Sequence, residues 1–250
     1  MALGKKEQRI DTLLVEKGLA PSRTRAQSMI MAGTVLVNEL RVEKPSESYS
    51  ADVHIRIKGY DPASKYVGRG GLKLEKALTE FHIRPSGYVC LDVGSSTGGF
   101  TDCLLQHGAS RVVAVDAGTN QLDWKLRSDE RVDVREKTNA RFLRPADFDT
   151  KFDLIVMDVS FISVTKILPA LVPLMKDDGK MLVLIKPQFE AGREQVGKGG
   201  VVRDERVRAE AVERVNSFAE SLGLAVEGVI ESPILGAEGN KEFLSFYEKR

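Results

Sequence analysis

The chain has 250 residues, of which 42% are hydrophobic and 29% charged, and its net charge is +1. That balance excludes a disordered or fibrous protein and is enough to bury one large core, or a medium core plus a small one. The longest apolar run, 167–175, holds nine residues and two prolines; a membrane-spanning helix needs about 20, so a helical membrane protein is excluded too. The N-terminus has no apolar signal core. Cys90 and Cys103 sit in apolar segments without a CxxC pattern. They read as small buried hydrophobes of a reducing, cytoplasmic compartment. Three scattered histidines and these two cysteines offer no metal site of usual spacing.

The first 60 residues read as a helix–helix–strand unit. Ile10, Leu13 and Leu14 form a helical stripe that stops at Gly18. Ser22 is placed to cap a second helix, with Ala26, Met29 and Ile30 inward and Gly33 as its stop. Val35, Val37, Val53, Ile55 and Ile57 alternate as short strands. Residues 1–76 carry 14 Lys/Arg against 9 Asp/Glu, whereas residues 77–250 carry 23 against 27. A basic front on a mildly acidic body suits a polyanionic partner, or simply a solvated helix face. Arg9, Lys17, Arg23 and Arg25 lie on or beside the two helices and are the candidates for phosphate contact. The first 48 residues contain no Phe, Tyr or Trp, so recognition there would read RNA shape and backbone rather than stacked bases. A polar, glycine-containing segment follows, and the domain linker is placed at 61–71.

From residue 88 onward, strand-like runs (88–93, 111–116, 132–135, 152–158 and 180–185) alternate with helical patterns at 99–107, 162–175 and 204–222. Nearly continuous apolar strands of this kind belong to a parallel sheet covered on both faces. Segments 225–231 and 242–248 are joined too closely for a helix and should pair as an antiparallel hairpin at the sheet edge. The expected class is α/β: a Rossmann-like methyltransferase sheet, mostly parallel with its last strand antiparallel, behind a small α+β domain.

After the first of these strands comes a glycine turn, Gly94-Ser95-Ser96-Thr97-Gly98-Gly99-Phe100. Its spacing is not the GxGxxG of dinucleotide enzymes. Asp116 ends the next strand, where a carboxylate can accept bonds from ribose hydroxyls. A ribose without a pyrophosphate fits S-adenosylmethionine better than NAD. Gly94, Ser95, Ser96, Gly98, Gly99, Phe100 and Asp116 are therefore the cofactor candidates. Asn139 joins them as a residue able either to reach adenine or to cap a loop.

Asp158 ends the fourth strand and Lys186 the fifth. Both should face the crevice at the carboxyl ends of the strands, where open α/β sheets bind their ligands. Lys73 follows a glycine-rich stretch and Glu242 opens the final strand; on spacing alone each is as consistent with a solvated element end as with function. These residue types suit methyl transfer to a hydroxyl, because a ribose 2′-hydroxyl must lose its proton to attack. A lysine with a pKa lowered by burial or a second cation can take that proton. Residues 190–203, rich in glycine and in both charges, read as a substrate lid or as a plain connector.

The series Lys73, Asp158, Lys186, Glu242 resembles the K-D-K-E tetrad of FtsJ-like ribose 2′-O-methyltransferases. The front resembles the S4 RNA-binding domain in Arg9–Leu14, in Ser22–Ala26 and in Gly33–Asn38. With Lys65-Tyr66-Val67-Gly68-Arg69-Gly70-Gly71 at the joint, the whole chain resembles the TlyA family of haemolysin-like ribosomal RNA methyltransferases. The resemblance implies an S4-like domain at 1–60, a linker at 61–71 and an FtsJ-like methyltransferase domain at 72–250. It implies 2′-O-methylation of cytidine in ribosomal RNA with S-adenosylmethionine, Lys186 as central lysine, Asp158 as its partner, and Lys73 and Glu242 in support. It also implies that the first domain and the linker recognise RNA, which adds Lys65 and Arg69 to the RNA set. Three rival readings are a membrane-lytic haemolysin, a base methyltransferase and an RNA-binding module without catalysis. The first lacks an apolar span or a strongly amphipathic cationic helix. In a base-carbon enzyme a cysteine would stand at a crevice strand end, and neither does. The intact tetrad argues against the third.

Overall fold

The computed structural model describes residues 7–20, 22–38, 40–57 and 65–250. The chain divides into two compact units, Met1–Gly68 and Arg69–Arg250. Residues 61–64 of the expected linker lie outside the described residues.

In the first unit, β1 (Glu7–Arg9) runs directly into α1 (Ile10–Glu16), and α2 (Arg23–Met31) follows. Four short strands complete it: β2 (Val35–Val37), β3 (Leu40–Arg41), β4 (Ser48–Ser50) and β5 (Ile55–Ile57). They form two small sheets, β3-β2-β5 and β1-β4. Ile10, Leu13, Leu14, Ala26, Ile30, Val35 and Val37 are buried together, as the helical stripe and strand alternation require. Ser22 caps α2, its Oγ accepting from the Arg25 N–H at 3.2 Å, which satisfies a backbone donor left free at a helix start. Val53 lies outside the strands. The β1-β4 pair escaped the sequence reading because strands of three residues carry too little alternation to register.

The second unit opens with α3 (Gly70–Glu80), so residues 70–71 of the expected linker are already helical. Then come β6 (Val89–Val93), α4 (Gly99–Gln106), β7 (Arg111–Val115), α5 (Trp124–Arg127), β8 (Val132–Arg135) and β9 (Phe152–Met157). After these stand α6 (Leu168–Leu171), β10 (Met175–Ile185), α7 (Pro187–Glu190), α8 (Glu205–Ser221), β11 (Leu224–Glu231) and β12 (Phe243–Lys249). The seven strands are ordered β11-β12-β10-β9-β6-β7-β8. All neighbouring pairs are parallel except those made by β12, which runs antiparallel to both β10 and β11. The expected hairpin is present, with its second strand threaded inside the first. Leu154, Ile155, Val156 and Met157 of β9 are wholly buried, as a strand covered on both faces must be.

One expected helix is broken. Residues 162–175 form a 3-10 turn (Val164–Lys166), the single turn of α6 and a second 3-10 turn (Val172–Leu174). Pro169 and Pro173 lack the N–H that a continuous helix would use and clash with the preceding turn. The apolar periodicity was real, since Val164, Ile167, Leu168, Leu171 and Leu174 are all buried.

Between β6 and β9 the connections leave toward opposite edges of the sheet, and such a reversal opens a crevice at the carboxyl ends of the strands.

Candidate active site

Each charged candidate stands at the end of an element that points it into this crevice. Lys73 is on the first turn of α3, Asp158 follows β9, Lys186 follows β10 and Glu242 precedes β12. The Lys73 ammonium lies 2.5 Å from Glu242 Oε2 and 3.9 Å from Asp158 Oδ2. The Lys186 ammonium lies 2.6 Å from Asp158 Oδ1 and donates to Ser160 Oγ at 2.9 Å. Lys73, Lys186 and Glu242 are buried, while Asp158 stays partly open to solvent. The four charges thus form one line, Glu242–Lys73–Asp158–Lys186, with each cation satisfied by an acid. Buried charges persist only in such company.

The glycine turn sits beside this line. Gly94 has φ +83°, and a Cβ there would collide with the Asp158 carbonyl oxygen. The Asp158 N–H in turn donates to the Val93 carbonyl at 2.9 Å. The glycine turn and the end of β9 are therefore locked together by a contact that only glycine permits. Asp116 accepts from the Ser96 N–H at 2.8 Å and the Gly118 N–H at 2.7 Å, one on each carboxylate oxygen. A carboxylate offers about four lone-pair positions, so each oxygen keeps one for a further donor.

A cavity of about 390 Å³ joins the glycine turn to the charge line, within the usual size of small-molecule sites; Asp116 is not among its lining residues and reaches it only through Ser96. Its walls include Gly94, Ser95, Ser96, Gly99 and Phe100 of the turn, and the whole tetrad. Gly98 packs against Leu126 instead. Asn139 is exposed, and its Oδ1 accepts from the Arg141 N–H at 3.1 Å, capping a 3-10 turn. The loop-cap alternative thus has a partner in the structure.

Several residues escaped the sequence reading. Asp92 is fully buried in β6; Thr101 Oγ1 donates to its Oδ2 at 2.6 Å, and its Oδ1 has no partner among the described residues. Burial pushes its pKa up to about 7, and the nearby carboxylates of Asp158 and Asp116 act in the same sense. An acid inside the apolar run Cys90-Leu91-Asp92-Val93 was the signal. Phe161 is 92% exposed at the cavity wall with φ +66°, its ring 5.3 Å from that of Phe189, which lines the same wall. A bulky residue in the left-handed region is held there against its preference. Glu190 accepts from Ser163 Oγ at 2.6 Å and the Val164 N–H at 2.9 Å, which ties the segment after Phe161 to the one after Lys186. Burial raises its pKa.

Residues 190–203 are built rather than free. They hold a 3-10 turn (Arg193–Gln195) and a bridge between Gly197 and Val201. Asn240 pins them, its Nδ2 donating to the Gly200 carbonyl at 2.9 Å and its Oδ1 accepting from the Val202 N–H at 3.1 Å.

In the first unit, Asp11 gathers two of the basic candidates. Arg9 donates to it through Nε at 3.1 Å and Nη2 at 2.9 Å, Arg23 through Nη2 at 3.1 Å, and Gln27 also donates at 2.9 Å. The bond from Arg9, chiefly, holds the Asp11 carboxyl far below the usual carboxylate range. Both guanidinium groups stay about half exposed, with donors left for phosphate. Lys17 is exposed at the end of α1 and Arg25 stands half-buried on α2. Lys65 sits 5.4 Å from the centre of the Tyr66 ring. Arg69 belongs to the second unit and lines the cavity beside the charge line.

Among the described residues no helix is long and apolar enough to cross a membrane. A family model for FtsJ-like methyltransferases matches residues 66–249, and one for the S4 domain matches residues 8–53. The 16S/23S rRNA (cytidine-2'-O)-methyltransferase TlyA of Mycobacterium tuberculosis is 46% identical over 235 residues, covering 94% of this chain and 87% of its own. Hemolysin A of Brachyspira hyodysenteriae is 42% identical over 240 residues, covering 96% of this chain and 99% of its own. A solved structure from Streptococcus thermophilus that bears a hemolysin name matches with a TM-score of 0.74 at 45% identity, over 98% of this chain and 90% of that one.

Proposed function

This chain belongs to the TlyA family, in which an S4 domain precedes an FtsJ-like methyltransferase domain, and from that membership and its site we propose that it methylates the 2′-hydroxyl of cytidine in ribosomal RNA. The observation that carries the reading is the line of contacts Glu242–Lys73–Asp158–Lys186 along the wall of a cavity shared with the glycine turn.

S-adenosylmethionine, when bound, supplies an electrophilic methyl group on a positively charged sulfur. Asp116 fits its ribose hydroxyls, and the turn from Gly94 to Phe100 lets the backbone approach it closely. Asp158, which holds Lys186, would also offer its carboxylate to the sulfonium. Lys186, in its amine form, accepts the proton of the 2′-hydroxyl as the new O–C bond forms and the S–C bond breaks. Ser160 fixes the direction of that amine. Lys73 and Glu242 hold Asp158 from behind. Phe161 and Phe189 offer an aromatic face for the base attached to the reacting ribose. Displacement at the methyl carbon requires the oxygen, carbon and sulfur in line, so alignment by these groups supplies most of the acceleration.

Arg9, Lys17, Arg23, Arg25 and Lys65 supply the phosphate contacts of the RNA-recognition end. Ribosomal RNA or a ribosomal subunit is the partner, and the cytoplasm is the compartment that substrate requires. The test is mass-spectrometric mapping of 2′-O-methyl nucleosides in ribosomal RNA from cells with and without this protein. A cytidine methylated only when the protein is present supports the reading, and unchanged maps overturn it.

A further inference from the structure

Five ionisable side chains line the catalytic cavity: Arg69, Lys73, Asp158, Lys186 and Glu242. Four of them neutralise one another, Lys73 with Glu242 and Lys186 with Asp158. The Arg69 guanidinium has no hydrogen-bond or ion-pair partner among the described residues, and its side chain is exposed at the cavity wall. Its five N–H donors form a planar fork that matches a carboxylate or a phosphate. The cavity therefore carries one spare positive group shaped for an oxyanion.

Two observations say which oxyanion. Arg69 stands at the start of α3, and the next residue, Gly70, lies against the ring of Phe100, with 3.7 Å between its Cβ position and Cδ1. Phe100 is on the first turn of α4, directly after the glycine turn. Arg69 thus enters the cavity from the side of the cofactor turn. The aromatic pair suited to the nucleotide, Phe161 and Phe189, enters from the segments after β9 and β10. S-adenosylmethionine has a single anionic group, its α-carboxylate. Were its ribose held by Asp116, beside the turn, and its sulfonium by Asp158, that carboxylate would be the one part of the molecule that needs a cation, and among the described residues lining the cavity Arg69 is the unpaired one, on the turn's side.

We infer that Arg69 holds the α-carboxylate of S-adenosylmethionine, rather than an RNA phosphate, and so selects the intact amino-acid tail of the cofactor. The inference rests on the methyltransferase reading above and assigns Arg69 to the cofactor within it.

The test is calorimetric binding of S-adenosylmethionine and of decarboxylated S-adenosylmethionine to the full chain and to its Arg69→Gln variant, without RNA. The wild-type protein should prefer the intact cofactor by about tenfold or more, the usual worth of a hydrogen-bonded charge pair. In Arg69→Gln that preference should fall to within about twofold, through weaker binding of the intact cofactor alone. Equal weakening toward both compounds, or unchanged affinity for both, overturns the assignment. A variant that binds both normally but loses RNA affinity returns Arg69 to the phosphate backbone and also overturns it. Wild-type protein that binds neither compound instead overturns the methyltransferase reading itself.

Discussion

Lys73 and Glu242 are separated by 169 positions and meet at 2.5 Å, both almost out of reach of water. Neither charge is tolerable there without the other. Glu242→Gln should destabilise the protein by about 3 kcal/mol, because it leaves a buried ammonium with only the more distant Asp158 carboxylate. The double variant Lys73→Met with Glu242→Leu should recover most of that loss, since a well-packed apolar pair replaces the ions, while methyl transfer stays absent. Denaturant titration of the three proteins gives the comparison. A double variant no more stable than Glu242→Gln would show the pair to be less coupled than its geometry indicates.

Lys186→Arg keeps a cation beside Asp158 but not a base, because a guanidinium does not release its proton in a protein. Single-turnover methylation with RNA and cofactor both saturating should slow by at least ~10²-fold, the lower end for general-base catalysis. Near-normal turnover by the arginine variant would leave Lys186 a purely electrostatic role.

Asp11 makes an unusual forecast for RNA binding. Removing an acid from a basic surface should, on charge alone, tighten RNA binding. Here the acid holds Arg9 and Arg23 in place, so Asp11→Asn should weaken it. Arg23→Ala with Arg25→Ala should flatten the salt dependence by a slope of roughly 0.9 per lost phosphate contact on duplex-like RNA. Filter binding across a salt series measures both. The ion pairs of Asp11 also stabilise the first unit above the unfolded carboxylate pKa of about 3.9. That contribution disappears as pH falls through the lower pKa of the folded state.

Asp92 has the opposite sign. Its folded pKa of about 7 stands above its unfolded value, so the folded state keeps a proton that the unfolded state has already released. Stability from this group is complete below pH ~4 and is lost as pH rises toward and through 7. Asp92→Asn should therefore raise the melting temperature at pH 8 and change it little at pH 4. Melting curves at the two pH values check this; equal shifts at both would mean the asparagine acts through packing alone.

The parallel sheet was legible because its strands are continuous apolar runs, and Asp158 and Lys186 stood out because they end two of them; Lys73 and Glu242 stood out only through the resemblance to the K-D-K-E series. Ser22 announced its helix for a local reason. What the sequence concealed depends on distance. Nothing in the run Val156-Met157-Asp158 says that the carbonyl of Asp158 rests against Gly94. Phe161 reads as core by composition and is 92% exposed, because its backbone conformation, not its hydrophobicity, decides where it points. Asp11 reads as a first-turn acid on a helix, and only the folding of α2 against α1 brings Arg23 and Gln27 to it. Pro169 and Pro173 were visible from the start, and apolar periodicity outweighed them wrongly.

The placement of β12 between β10 and β11 governs when this molecule can work. Both neighbours precede it along the chain, so β11 has nothing to pair with until 243–249 exist and are threaded into the gap. Glu242 is set at the mouth of that same strand. During synthesis the crevice, the glycine turn, Asp158 and Lys186 all emerge earlier, yet Lys73 lacks its nearer partner, Glu242, until the end. The last strand acts as a keystone: its insertion closes the sheet and completes the charge line in one event. A partly made chain can therefore expose the glycine turn without a finished line of charges.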